Sequence, residues 1–391
     1  MVRRASAAIA GIGETRYSTP GAPDAPSETR LACEAIRAAA ADAGLGMADI
    51  DGLASFANSA LDPSLLQIEL GMPALHFSSM VWGGRGGGAC GALAHAAMAV
   101  QTRQARCVAV FRSLSQTRTR RYGDFFAERM HVNFTAPFGL VSPAQMNALV
   151  VQRYLHEYGL PADAGAEIAL LCRDNAQFNP RAQTYGRPKT LADYQASPML
   201  AAPLRMMDCC LQSDGACAVL VTSVERARDL RRRPVRIAAA AQGSGPGWGS
   251  GAMGSYNMPA ADFASGNARE LGRRLFDMAG LVPADVDVAQ IYDHFTGMAL
   301  MSLEDFGFCE RGAAPAFAAS GALRHGSGRL PINTAGGSLG EAYVHGMNLI
   351  AEAVRQLRGD STRQVVDAEV SFVCSGAGVA PTSAALLCVR R

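Results

Sequence analysis

Hydrophobic and polar positions follow the same order in both halves of the chain. Each half begins with a short apolar run, at 7–11 and at 235–240, and both runs predict a buried strand. A stripe of apolar residues at helical spacing follows and ends at a glycine, Gly44 or Gly280, which suits the left-handed conformation that closes a helix. The pattern therefore predicts a strand and then a helix at the start of each half.

The remainder of each half repeats as well. Asp49 follows Gly44 at the same distance at which Asp285 follows Gly280. A short apolar run, an alanine-rich helical segment and a last apolar run then complete each half. Strand, helix, strand, helix, strand, used twice, predicts two α/β halves with largely parallel sheets and a pseudo-twofold axis between them.

A long segment between the halves has no counterpart in the repeat. An insertion of this length on a repeated core usually supplies binding loops. We therefore divide the chain into an N-terminal half at 1–111 plus 201–230, a loop-rich insertion at 112–200 and a C-terminal half at 231–391.

Four arginines lie near the start of this insertion, at 112, 118, 120 and 121. Such a cluster either meets a phosphate group or forms a solvated charged face, and the second outcome is the commoner one. We therefore expect these arginines to face solvent, with phosphate binding as the alternative.

The composition indicates a globular protein with a large core and no nucleic-acid partner. Of the 391 residues, 49% are hydrophobic and 18% are charged, so disorder is not expected. The chain has 36 Lys and Arg against 34 Asp and Glu, which gives no broad basic surface for nucleic acid or an anionic membrane. We find no segment suited to span a bilayer and expect a cytoplasmic protein.

The ten cysteines exclude two classes of small scaffold. They include no C-x-x-C pair, and most of them lie in apolar stretches. This usage is typical of reduced, buried thiols and excludes a zinc ribbon or a disulfide framework in this chain. We expect no metal site.

A glycine-rich segment precedes the alanine-rich helix of the N-terminal half. The run G-G-R-G-G-G-A-C-G-A-L-A at 83–94 resembles the helix start of the thiolase superfamily, where a nucleophilic cysteine lies at the N-terminus of a buried helix. The resemblance implies duplicated α/β halves layered α-β-α-β-α. Gly86 stands at the position of the nucleophile, and Cys90 lies about one turn further along, as a core residue or a displaced nucleophile.

Three blocks of the C-terminal half share this resemblance. Q-I-Y-D-H-F at 290–295 replaces the N-E-A-F block of thiolases and the H-D-C-F block of the sterol-carrier-protein type. N-T-A-G-G-S-L-G-E-A-Y-V-H-G at 333–346 replaces the block of the catalytic histidine, so that Tyr343 stands at the histidine position. C-S-G-A-G at 374–378 matches a turn that supplies an acid/base cysteine and, at Gly376, an oxyanion hole.

Tyr292 and Tyr343, in a chain without the nucleophilic cysteine, resemble the lipid-transfer-protein branch of this superfamily. That branch includes acyl-CoA retro-aldolases of steroid side-chain breakdown. The resemblance implies an acyl-CoA substrate, with CoA as part of the substrate and no other cofactor. It also implies a homodimer and a protein partner of the OB-fold or zinc-ribbon type.

Retro-aldol cleavage of a β-hydroxyacyl-CoA, the reaction that the resemblance implies, needs no acyl-enzyme and therefore no nucleophilic thiol. We expect Tyr292 or Tyr343 to take the hydroxyl proton, with His345 or His294 tuning or relaying it. A tyrosine with its ordinary pKa of about 10 is a weak base, so an adjacent cation or dipole is required to lower that pKa. Backbone N–H groups of the two glycine turns would hold the enolate.

Two other functions stay open at this point. The first is a thiolase or acyltransferase reaction that uses Cys90 or Cys374 as its thiol. The second is a non-catalytic carrier of acyl-CoA or lipid, or a scaffold for a partner. Cys374 itself is either an acid/base or only a packing residue.

Overall fold

The computed structural model of the chain describes residues 6–21, 23–57, 61–82, 85–118, 136–247, 259–376, 378 and 381–389. The strands of this part are, in chain order, β1 (Ala7–Glu14), β2 (Gly52–Phe56), β3 (Phe77–Val81), β4 (Cys107–Leu114), β5 (Met199–Ala201), β6 (Leu204–Arg205), β7 (Gly215–Ser223), β8 (Val235–Gly243), β9 (Val288–Gln290), β10 (Val370–Ser375) and β11 (Thr382–Cys388).

The helices of the same part are, in chain order, α1 (Glu28–Ala43), α2 (Pro63–Leu70), α3 (Ala89–Gln101), α4 (Pro143–Tyr158), α5 (Ala166–Ala176), α6 (Leu191–Ala196), α7 (Val224–Arg228), α8 (Arg269–Ala279), α9 (Thr296–Asp305), α10 (Ala314–Ala319), α11 (Gly337–Gly340) and α12 (Met347–Arg358). A 3₁₀ turn at Arg85–Gly88 leads directly into α3.

The repeat predicted from the sequence is confirmed element by element. β1, α1, β2, α3 and β4 correspond to β8, α8, β9, α12 and β10. Gly44 and Gly280 close α1 and α8 with φ of 75° and 64°, the left-handed values for which glycine is suited. Asp51 and Asp287 accept the backbone N–H groups at the start of β4 and β10 respectively, so each half uses the same carboxylate brace.

Strands of both halves form one sheet in the order β3-β2-β4-β7-β1-β8-β11-β10-β9. The halves join where β1 pairs with β8 at Ala8–Arg236 and Ile9–Val235. The prediction of largely parallel sheets is wrong, because β7 and β11 run antiparallel to both of their neighbours. Each of these two strands follows the five repeated elements of its half. In the sheet, β7 lies between β4 and β1, and β11 lies between β8 and β10.

The layered architecture agrees with the prediction. On one outer face α1 packs against β1, β4 and β7, and on the other α8 packs against β8 and β11. Between them α3 and α12 contact strands of both halves. Alanine and glycine fill much of the buried surface of α3, which allows strands of both halves to approach it closely. The order is therefore α-β-α-β-α, with the start of α3 at the centre of the molecule.

The insertion contains more helix than the loop-rich prediction allowed. Its described part contributes α4, α5 and α6, and α5 packs against α9 and α11 of the C-terminal half. The division of the chain into two halves and an insertion at the stated boundaries stays a prediction. Within the described part, no helix is long and apolar enough to cross a membrane.

Candidate functional site

The two tyrosines that the sequence singles out lie side by side. Tyr292 follows β9, and Tyr343 lies in the loop before α12. Their hydroxyl groups are 3.0 Å apart, with Tyr292 donating a hydrogen bond to Tyr343. Both side chains are buried. The fold thus brings two phenols from separate motifs into one hydrogen-bonded pair.

Tyr292 also fills the space beside Gly86. A Cβ atom placed on Gly86 would lie 1.7 Å from the Tyr292 hydroxyl oxygen and 2.2 Å from its Cζ atom. Because Gly86 belongs to the turn that begins α3, the phenol oxygen lies at the N-terminus of a buried helix. The partial positive charge of a helix N-terminus stabilises an anion placed there.

Two further glycines allow the backbone to close around this phenol. Gly376 has a φ of 73°, and a Cβ atom on it would lie 2.2 Å from the Cα atom of Gly87. Gly346 has a φ of 83°, and a Cβ atom there would lie 3.1 Å from the ring of Tyr292. The segments of Gly86 and Gly346 therefore contact Tyr292, and the segment of Gly376 packs against the first of them. The oxyanion roles of Gly86 and Gly376 stay predictions.

His345 lies at the site and is bound by an arginine that the sequence did not assign to it. Nε of Arg112 donates to Nδ1 of His345 over 3.1 Å. Arg112 is buried, so the expectation that it faces solvent is wrong. Arg112 lies within the apolar run that forms β4, and this position in the sequence could have predicted its burial. Arg118 instead donates to the carbonyl of Ala25, and positions 120 and 121 lie outside the described residues.

His294 packs against Tyr292 and is electrically neutral. The two rings have centroids 4.7 Å apart, and His294 also packs edge-on against Phe295. Burial lowers the pKa of His294 to about 3. Within the described residues neither ring nitrogen makes a hydrogen bond of normal geometry. The arrangement favours packing under the phenol over proton relay, and the predicted relay role stays untested.

We expect His294→Phe to make folding less sensitive to acid. Between its unfolded pKa near ~6.5 and its folded pKa of about 3, His294 takes up a proton only in the unfolded chain, so stability falls as the pH falls. Phenylalanine keeps the packing of an aromatic ring against Tyr292 and removes this titration. Urea denaturation should show a loss smaller by about 1.5–2 kcal/mol between about pH 6.5 and about pH 5. An unchanged pH dependence would contradict the neutral state of His294.

Asp293 joins the two tyrosine blocks and was not assigned a role from the sequence. Its carboxylate accepts the backbone N–H groups of Ser338 and Leu339 over 2.7 and 3.1 Å. Burial raises its pKa, and these backbone donors oppose the rise. Asp293 adjoins Tyr292, while Ser338 and Leu339 lie in the segment that leads to Tyr343. The carboxylate therefore fixes one block relative to the other.

The two candidate thiols, those of Cys90 and Cys374, are both buried. Cys90 is buried in α3 beside the hydroxyl of Ser375, and burial raises the pKa of its thiol to about 12. The sulfur of Cys374 accepts the backbone N–H of Tyr292 over 3.4 Å, and burial raises the pKa of this thiol as well. Neither thiol is present as the thiolate that nucleophilic catalysis requires at neutral pH.

No metal centre is found in the part of the chain that the structure describes. No group of three or more His, Cys, Asp or Glu side chains there is arranged to hold an ion. The polar groups that converge on the site are instead the two phenols, the imidazole of His345 and the guanidinium of Arg112. This set of groups suits proton transfer and binding of an anion.

Comparison with known proteins identifies relatives along the whole chain. Residues 249–390 match the family described as thiolase C-terminal domain-like. The 17-hydroxy-3-oxo-4-pregnene-20-carboxyl-CoA lyase of Mycobacterium tuberculosis is 44% identical, with 97% of this chain and 98% of the relative covered. The steroid side-chain-cleaving aldolase of Thermomonospora curvata is also 44% identical, with 98% and 97% covered.

Solved structures share the architecture. The structure of the Ltp2-ChsH2(DUF35) aldolase superposes with a TM-score of 0.92 at 43% identity, covering 100% of both chains. Human mitochondrial 3-ketoacyl-CoA thiolase superposes with a TM-score of 0.69 at 14% identity, covering 98% of both chains. The second similarity concerns the fold alone.

Proposed function

Since this chain belongs to the thiolase superfamily, in the family that includes the steroid side-chain-cleaving aldolase of Thermomonospora curvata, we propose that it cleaves a β-hydroxyacyl-CoA by a retro-aldol reaction. The substrate class is an acyl-CoA with a steroid or similar lipid group at the β-carbon. The products are a ketone and a shortened acyl-CoA. No acyl-enzyme forms in this reaction.

One observation supports the proposal more than any other. The phenol of Tyr292 occupies the space that a side chain at Gly86 would fill. In the superfamily this position, at the N-terminus of the buried helix, belongs to the nucleophilic cysteine. The helix N-terminus that would activate a thiolate is thus available to a phenolate. This dipole meets the requirement for using tyrosine as a base.

We assign the base to Tyr292 and the acid to Tyr343. The Tyr292 oxygen removes the proton of the β-hydroxyl group, the C–O bond becomes a carbonyl, and the bond between the α- and β-carbons breaks. Its electron pair passes into the thioester as an enolate. Tyr343 then protonates the α-carbon. The direct hydrogen bond of 3.0 Å lets the proton taken by Tyr292 return to Tyr343, so the pair is restored after each cycle.

The enolate requires hydrogen-bond donors at the thioester oxygen. We assign this role to backbone N–H groups of the turns at Gly86 and Gly376, which contact each other beside Tyr292. A donor of this kind contributes about 3–4 kcal/mol to a transition state that develops negative charge. His345 completes the polar lining on the opposite side of Tyr343, where their rings meet edge to face.

We infer a homodimer in the cytoplasm that binds a partner of the OB-fold or zinc-ribbon type. The solved structure of the Ltp2-ChsH2(DUF35) aldolase, to which this chain is similar, supports a protein partner. CoA enters as part of the substrate, and we propose no further cofactor. A reaction through Cys90 or Cys374 has less support, since both thiols are buried and protonated.

The test is turnover of a branched β-hydroxyacyl-CoA by the chain co-expressed with its partner. We expect a ketone and a shortened acyl-CoA as products, and a Cys90→Ala/Cys374→Ala variant should retain most of the wild-type kcat. Iodoacetamide should leave the rate unchanged. Tight binding of the substrate without turnover would instead support a carrier, and loss of turnover on removing the thiols would support an acyltransferase.

A further inference from the structure

Arg112 links the two halves of the fold next to the tyrosine pair. It lies on β4 of the N-terminal half, and its guanidinium donates from Nη1 to the carbonyl of Phe56 at the end of β2 over 3.0 Å. The same group donates from Nε to Nδ1 of His345, in the C-terminal half, over 3.1 Å. One buried side chain therefore joins two strand ends to the loop of Tyr343.

The geometry of this contact determines the tautomer of His345. A guanidinium group has five N–H donors and no acceptor, so Nδ1 of His345 must be the acceptor. A neutral imidazole with Nδ1 as acceptor has its proton on Nε2. Protonating Nδ1 would remove the hydrogen bond and bring two positive charges within 3.1 Å of each other.

The same contact holds a turn of unusual backbone conformation. His345 has a φ of 51° and Gly346 a φ of 83°, two consecutive left-handed values. Such a value is unfavourable for a residue with a side chain and persists only where the surroundings enforce it. The ring of Tyr343 packs edge-on against His345 at 5.1 Å, and Gly346 packs against Tyr292. Movement of His345 would therefore displace both tyrosines.

We propose that Arg112 is a positioning residue for the tyrosine pair: it holds His345 in the neutral form with its proton on Nε2, and so fixes the turn that keeps the Tyr343 hydroxyl within hydrogen-bonding distance of Tyr292. His345 then serves as a hydrogen-bond donor through Nε2 and does not act as a base through Nδ1. The effect on turnover rests on the proposed function, whereas the tautomer does not depend on it.

The experiment compares Arg112→Met with Arg112→Lys in the complex with its partner. Methionine approximates the length of the side chain without a donor, and lysine restores a charged donor. We expect kcat on a β-hydroxyacyl-CoA to fall about 100-fold in Arg112→Met with a much smaller change in KM, and lysine to recover part of that loss. Arg106→Met, at an exposed arginine immediately before the same strand, is the matched control and should keep the wild-type kcat.

Nuclear magnetic resonance of protein labelled with ¹⁵N-histidine supplies a second readout. We expect the Nε2–H tautomer of His345, identified through a His345→Asn variant, in the wild type and in Arg112→Lys. In Arg112→Met the signal should show protonation of both nitrogens at mildly acidic pH. Wild-type signals in Arg112→Met, or a wild-type kcat in that variant, would overturn the inference. A wild-type chain with the expected tautomer and no turnover would instead count against the proposed function alone.

Discussion

Tyr292→Phe and Tyr343→Phe should each reduce kcat by about 10²–10⁴-fold, the range that a positioned general acid or base contributes. The reason is the geometry of the pair. One phenol lies at the N-terminus of α3, the other is 3.0 Å away, and each exchanges a proton with the substrate or with its neighbour. Steady-state kinetics on a β-hydroxyacyl-CoA measures the loss. The double variant should lose little more than the worse single variant, because the two groups act as a unit.

Two controls accompany these variants. The first is their thermal stability, and the second is the same substitution at a tyrosine outside the site. Both single variants keep the aromatic ring in its packed position and remove only the hydroxyl group, so we expect their unfolding to stay close to that of the wild type. Tyr185 is half exposed, and Tyr185→Phe should keep the wild-type kcat. Near wild-type kcat in both Tyr292→Phe and Tyr343→Phe would refute the assignment of base and acid.

Gly86→Ala should strongly reduce turnover although alanine is only one methyl group larger than glycine. Its Cβ atom would lie 1.7 Å from the Tyr292 hydroxyl oxygen, so the phenol has to leave the N-terminus of α3. We expect a loss of kcat at least as large as that of Tyr292→Phe, about 10²-fold or more. For the same reason Gly86→Cys should yield no thiolase activity, even though it restores a thiol at the superfamily position.

A double variant separates this collision from a general loss of folding. Tyr292→Ala removes the phenol that the methyl group meets, so Gly86→Ala should cost much less stability in a Tyr292→Ala background than in the wild type, and turnover should not return. Gly46→Ala is the matched control, since a Cβ atom there meets only the Asp49 carboxylate, at 3.8 Å. Full activity in Gly86→Ala would show that the two groups do not compete for one space.

The duplicated architecture could be predicted because both copies keep the residues that end or brace their elements. Gly44 and Gly280 close equivalent helices, and Asp51 and Asp287 accept N–H groups at equivalent strands. The strand directions could not be predicted in the same way. β7 and β11 insert between strands that are distant in sequence, and a local pattern does not reveal which neighbours a buried strand will pair with.

The candidate site was predictable as a set of motifs but not as a geometry. The missing thiol at Gly86 and the tyrosine at 292 are separate substitutions in the sequence, and only the fold shows that the second fills the space of the first. Arg112 was misjudged because its burial depends on the packing of one half against the other. Its cluster in the sequence resembles a solvated face, whereas its guanidinium contacts Phe56 and His345.

The central claim is that carbon–carbon cleavage proceeds through the tyrosine pair without an acyl-enzyme. The measurement that tests it most directly is the mass of the intact protein during a single turnover of a β-hydroxyacyl-CoA in D₂O, together with the mass of the acyl-CoA product. We expect unmodified protein throughout and a shortened acyl-CoA with one deuterium at its α-carbon. A protein species heavier by an acyl group, formed and lost at the rate of turnover, would contradict the claim.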